Sequence, residues 1–163
     1  MAKELSEKEA EEFLKQIPWL KDGQIDYFKY PIEHAARDCS SSNAEKFRNG
    51  ARLLMDMAAV GRKDAMFMLF GMFEYYKNDY KKLEVIVLHI PDSDNERFVN
   101  FLFDFFEKTE SSNKSRQFLN LMLKNLEYVN KEIAVKRFNQ LLQNPKYTHR
   151  MKAKFKDILY RID

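Results

Sequence analysis

The residues of this chain best placed to do chemistry together are His34, Asp38 and Cys39. A histidine near a thiol is the pattern of a Cys–His nucleophile, and imidazole, carboxylate and thiolate are all zinc ligands. His34 and Asp38 stand four residues apart, which puts them on one helix face where they can simply hydrogen-bond. Nothing in the surrounding sequence marks Cys39 as activated. His89 and His149 lie far away, and no histidine pair has helical or zinc-ribbon spacing. A single cysteine supplies no Cys-x-x-Cys pair. No catalytic, cofactor-binding or metal-ligating residue is therefore assigned, and the chain is read as a non-enzyme that needs no cofactor.

Paired carboxylates lead to the same reading. Asp104 and Glu107 share a helix face, as do Glu7 and Glu11. Acid–base work needs such groups desolvated so that their pKa values separate. These pairs stand among charged neighbours and read as solvated surface. There is no G-x-S-x-G elbow, P-loop or dinucleotide fingerprint.

Charge carries the strongest functional signal. Net charge is +3, but residues 1–45 balance at −4, residues 46–110 at −1 and residues 111–163 at +8. The basic third holds Lys114, Arg116, Lys124, Lys131, Lys136, Arg137, Lys146, Arg150, Lys152, Lys154, Lys156 and Arg161. In a stack of helices, side chains from successive helices can align into one positive strip. Tyr128, Tyr147 and Tyr160 offer stacking surfaces beside it. Phosphate backbones are held by such strips through charge and counterion release. Lysine outnumbers arginine here, however, and planar recognition favours arginine. An acidic protein partner is the leading expectation, with nucleic acid second.

The elements that must position these residues are helical. Ser6 and Glu9 form a capping box, and Ala10, Phe13, Leu14 and Ile17 follow as one apolar stripe. Pro18 ends that helix, Lys21-Asp22-Gly23 is a turn, and Pro31 opens the next helix. Ser42 with Glu45 and Ser93 with Glu96 give two further capping boxes. Gly50 and Ala51 allow close approach of a neighbouring helix. Ala65-Met66-Phe67-Met68-Leu69-Phe70-Gly71-Met72-Phe73 carries no charge, so a helix there is expected to be apolar all round and central. Met55, Met57, Met66, Met68 and Met72 fit a core or an adaptable groove. Lys81 to Ile90 is rich in β-branched residues, but a lone strand would lack a partner, so it reads as helix. Phe98, Phe101, Phe103, Phe105 and Phe106 exceed one narrow stripe, which places their helix between two layers or exposes some rings. Thr148 caps the last helix.

The 163 residues suit one all-α domain. Four glycines and four prolines argue against an all-β fold and against Gly-rich phosphate loops. One cysteine, a charged start and no membrane-length apolar run point to a cytoplasmic protein without membrane contact. Helix starts are expected near 43, 62, 79, 94, 112, 130 and 147, so that alternate starts lie about 32–36 residues apart. With this spacing, and with Phe67, Phe70-Gly71 and Tyr75 as a loose match to a signature, residues 43–161 resemble the HEAT and tetratricopeptide classes of helical repeat, and the helical hairpins are read over residues 43–163. Leu83 and Ile90 stand where that pattern expects small residues. The resemblance implies stacked antiparallel hairpins in a right-handed superhelix behind an N-terminal cap of residues 1–42. The competing architecture is an irregular bundle of about eight helices. The function expected is a helical interaction module binding a protein partner.

Overall fold

Polar side chains cap six of the nine helices among the described residues, and the apolar faces of the helices decide how they stack. The computed structural model describes residues 5–163; the charged start read over residues 1–4 lies outside them. Among the described residues there are nine helices and one two-stranded hairpin: α1 Glu7–Lys15, β1 Leu20–Lys21, β2 Gln24–Ile25, α2 Ile32–Cys39, α3 Ala44–Ala59, α4 Lys63–Tyr75, α5 Tyr80–Ile86, α6 Glu96–Lys108, α7 Arg116–Leu126, α8 Lys131–Gln143 and α9 His149–Ile162. The fold is all-α, and no helix of the described residues is long and apolar enough to cross a membrane.

Local chemistry accounts for most of the boundaries. Ser6 and Glu9 form the expected capping box, and Thr148 caps α9. Asn43 rather than Ser42 accepts from the Lys46 amide, and Asn95 rather than Ser93 accepts from the Phe98 amide. Asparagine is at least as good a cap as serine. Ser93 is instead buried and donates to the Ala59 carbonyl at 2.6 Å. Pro31 is the N-cap of α2. The expected turn at Asp22-Gly23 closes a small hairpin, with φ of 52° and 75°, the left-handed pair that two-residue hairpin loops require.

Each helix from α3 onward packs on its second neighbour in sequence. In one layer, Phe70 of α4 stacks on Phe101 of α6 at 3.9 Å, and Phe103 of α6 meets Phe138 of α8. In the other, α3 packs on α5, α5 on α7, and α9 is tied to α7 by Lys154–Asn120 and Arg161–Glu127. Consecutive helices join the layers. Phe98, Phe103 and Phe106 are fully buried between them, and Phe101 and Phe105 are covered by α4. Met55, Met57 and Met66 are core residues.

One further expectation is corrected. The run Ala65–Phe73 is not buried all round: Phe67 is 62% exposed, with the Arg97 guanidinium over its ring. α4 lies at the end of its layer, so only one face meets α3 and α6. The central helix is α3, which buries nine residues and packs on α2, α4, α5 and α6. The apolar stripe of α1 also stays partly open. Phe13 and Leu14 are 58% and 48% exposed while Ala10 and Ile17 are half-buried; α1 packs beside β1 and none of its residues is fully buried.

Candidate partner-binding face

Cys39 is buried at the end of α2, and burial pushes its thiol up to about 12. The nearby Asp38 charge adds to that shift. A thiol in such surroundings is not a nucleophile at neutral pH. Among the described residues, no group of three His, Cys, Asp or Glu side chains is placed to hold a metal ion.

A pairing invisible to local spacing does occur. His89 Nε2 lies 2.7 Å from Oδ1 of Asp56, which is buried on α3. A histidine oriented by a carboxylate is two-thirds of a hydrolytic triad. Among the described residues, no hydroxyl or thiol is hydrogen-bonded to the imidazole; the pair ties α3 to the segment that follows α5.

The basic third is divided by the fold. Arg137 turns inward, its side chain 12% exposed, and donates to Asn100, to Asp104 at 2.7 Å and to Glu107 at 3.1 Å. Asp104 and Glu107 are therefore the anchor of α8 on α6, not a free acidic face. Lys146 donates to the backbone carbonyls of Glu107 and Thr109. Lys131 reaches the Asp163 carbonyl, and Arg116 reaches Asn113. On α9, residues two apart point to opposite sides. Lys152 and Lys156 line a groove toward α8 with His149 and Leu142. Lys154 and Arg161 line another toward α7 with Lys124. Among the described residues, the side chains of Lys114, Lys136 and Arg150 make no hydrogen bond or ion pair; Lys114 and Arg150 precede α7 and open α9, and Lys136 is exposed on α8. Tyr128 and Tyr160 are exposed, whereas Tyr147 is buried against Phe106 and Phe155.

The structure brings together a different set. Three grooves run side by side over α3, α5, α7 and α9. The first, between α3 and α5, is lined by Arg48, Arg52, Val85, Leu88 and His89. The second, between α5 and α7, shares Val85 and Leu88 and adds Lys81, Glu84, Leu121 and Lys124. The third, between α7 and α9, shares Lys124 and adds Leu123, Glu127, Lys154, Asp157, Ile158 and Arg161. Along the row, six Lys and Arg residues face three carboxylates. Arg161 donates to both Glu127 oxygens, at 2.6 and 2.9 Å, and holds that carboxyl below its usual range. Lys81 stands 3.5 Å from Glu84. Leu88, 52% exposed, gives the row an apolar centre.

Reading the last third of the chain as one block missed Arg48, Arg52 and Lys81. The signal for them was the alternate-helix spacing itself, which puts α3, α5, α7 and α9 in one layer. No protein-family model, curated protein or solved structure matches the chain.

Proposed function

We propose that this chain is a non-enzymatic helical module, of the stacked-hairpin type that HEAT and tetratricopeptide repeats represent, and that it binds a protein partner. The binding face is the row of grooves over α3, α5, α7 and α9. One observation carries this reading: adjoining grooves that share residues, with apolar floors at Val85, Leu88 and Leu121 and an excess of cations along their edges. Such a surface suits an amphipathic segment that brings its own apolar anchors and carboxylates. A phosphate backbone is less well served. Glu84, Glu127 and Asp157 interrupt the cations, and Arg161 is already neutralised by Glu127.

The test is capture on immobilised protein. Wild type, the double variant Leu88→Glu/Lys124→Glu and the distant control Lys63→Glu are exposed to nuclease-treated extract of the source cells. Retained proteins are then quantified by mass spectrometry. The reading expects proteins held by wild type and control and lost by the double variant. Identical retention by all three removes this face as the interface.

A further inference from the structure

The same molecule carries a helix with the chemistry that the grooves call for. α1 presents Ala10, Phe13 and Leu14 on one face, and Phe13 and Leu14 stand open to solvent. Around that face lie Glu7, Glu9, Glu11 and Glu12 against Lys8 and Lys15. Ser6 caps the helix and Glu9 completes the box, so this short element is held helical at its start. Nine residues make it about 13 Å long. An exposed apolar stripe on an isolated acidic helix is the feature that a helix-in-groove contact uses.

The groove between α5 and α7 has the complementary character. Its floor is Val85, Leu88 and Leu121, and its edges carry Lys81 and Lys124. Arg48 and Arg52 stand in the adjoining groove, and Glu84 is the one carboxylate among the lining residues of the two. α5 and α7, at seven and eleven residues, are about 10 and 16 Å long, which matches a segment the length of α1. Within its own chain α1 rests beside β1, with Phe13 and Leu14 turned outward.

We infer that α1 of one copy docks into the α5–α7 groove of a second copy, so that the chain self-associates head to tail. The inference rests on the reading of this face as a protein-binding surface, and it names a second copy as the occupant. The contact is heterologous: the surface given by one copy differs from the surface received by the next. It follows that the two surfaces can be disabled separately and restored by mixing.

The experiment is sedimentation velocity on the full chain over roughly 1 to 500 μM, at low and high salt. One variant, Phe13→Glu/Leu14→Glu, disables the helix. The other, Leu88→Glu/Lys124→Glu, disables the groove. Lys124→Glu alone serves as a milder groove variant, should the double change perturb folding. Wild type is expected to associate with increasing concentration, and less so at high salt. Each double variant should weaken association by at least about tenfold. An equimolar mixture should form a heterodimer and stop there, because one intact helix and one intact groove remain. A wild type that is monomeric at every concentration overturns the inference. So does a mixture that stays monomeric, because an intact helix and an intact groove would then have failed to pair. A monomeric wild type that still retains proteins through Leu88 and Lys124 in the capture experiment removes the second copy as occupant and leaves the binding face standing. A monomeric wild type together with identical retention by all three proteins in the capture experiment removes both.

Discussion

Two glycines in neighbouring helices give opposite answers to the same substitution. Gly50 lies on α3 where α2 crosses closest. A Cβ there would sit 2.7 Å from the Cys39 amide nitrogen, 2.8 Å from the Ala35 carbonyl oxygen and 2.8 Å from the Asp38 Cβ. Gly71 lies on α4, and a Cβ there would meet nothing within 4 Å. In a helix interior, Gly→Ala by itself stabilises by about 1 kcal/mol, because alanine has less backbone freedom to lose. At Gly71 that gain stands nearly alone, so Gly71→Ala is predicted to stabilise by about 0.5–1 kcal/mol. At Gly50, α2 must retreat by about 0.6 Å to restore ordinary contact, and two of the three opposing atoms are backbone. Overpacking of this kind costs about 1–3 kcal/mol, and rigid neighbours place it toward the upper end. Gly50→Ala is therefore predicted to lose about 1–2 kcal/mol after the helical gain is counted. Urea unfolding followed by circular dichroism at fixed pH gives both values from the midpoints, provided the slopes are unchanged. A Gly50→Ala protein as stable as wild type would refute the close packing of α2 on α3, and a destabilised Gly71→Ala would refute the open surroundings of Gly71 on α4.

Three further outcomes are expected. Arg137→Ala should cost about 2–3 kcal/mol in the same assay, because it leaves Asp104 and Glu107 facing each other without their shared cation; the figure lies below that for a fully buried pair since both carboxylates are part-exposed. Tyr147→Phe should be neutral or stabilise by up to about 1 kcal/mol, because the buried hydroxyl has no hydrogen-bond partner among the described residues; a loss above that size would show that the hydroxyl is engaged. Cys39 has an ordinary value of 9.0 and is raised to about 12 by burial. Between those values the unfolded chain releases the thiol proton while the folded chain keeps it, so this contribution is intact below pH 9 and is lost as pH rises toward 12. Stability measured from pH 8 to 11 should fall less steeply in Cys39→Ala than in wild type, and equal slopes would contradict the burial of the thiol.

Helix order and spacing were legible because caps and stripes are local. The starts expected near 43, 62, 79, 130 and 147 fall within two residues of those observed. α7 begins later than expected because Ser112 and Ser115 spend their hydroxyls on one another and on the Glu110 carbonyl, which holds 110–115 as a turn. What stayed illegible was decided by position in the stack. The apolar run of α4 looks central in sequence, but α4 ends its layer and leaves Phe67 open. The cations of the last third look like one strip, yet Arg137 and Lys146 turn toward Glu107 and α9 splits its lysines between two grooves. Arg48 and Arg52 look remote from Lys124, and only the stacking of alternate helices brings them into one row.

The central claim is that this row takes an amphipathic protein segment and not a phosphate backbone. Fluorescence anisotropy with labelled mixed-sequence RNA and DNA, single- and double-stranded, tests it most directly. The account predicts binding no tighter than a non-specific Kd of about 10⁻⁴–10⁻⁶ M near physiological salt, unchanged by Leu88→Glu. Tighter binding that falls by about 10³-fold or more between roughly 50 and 200 mM salt would contradict it, and would give the face to nucleic acid.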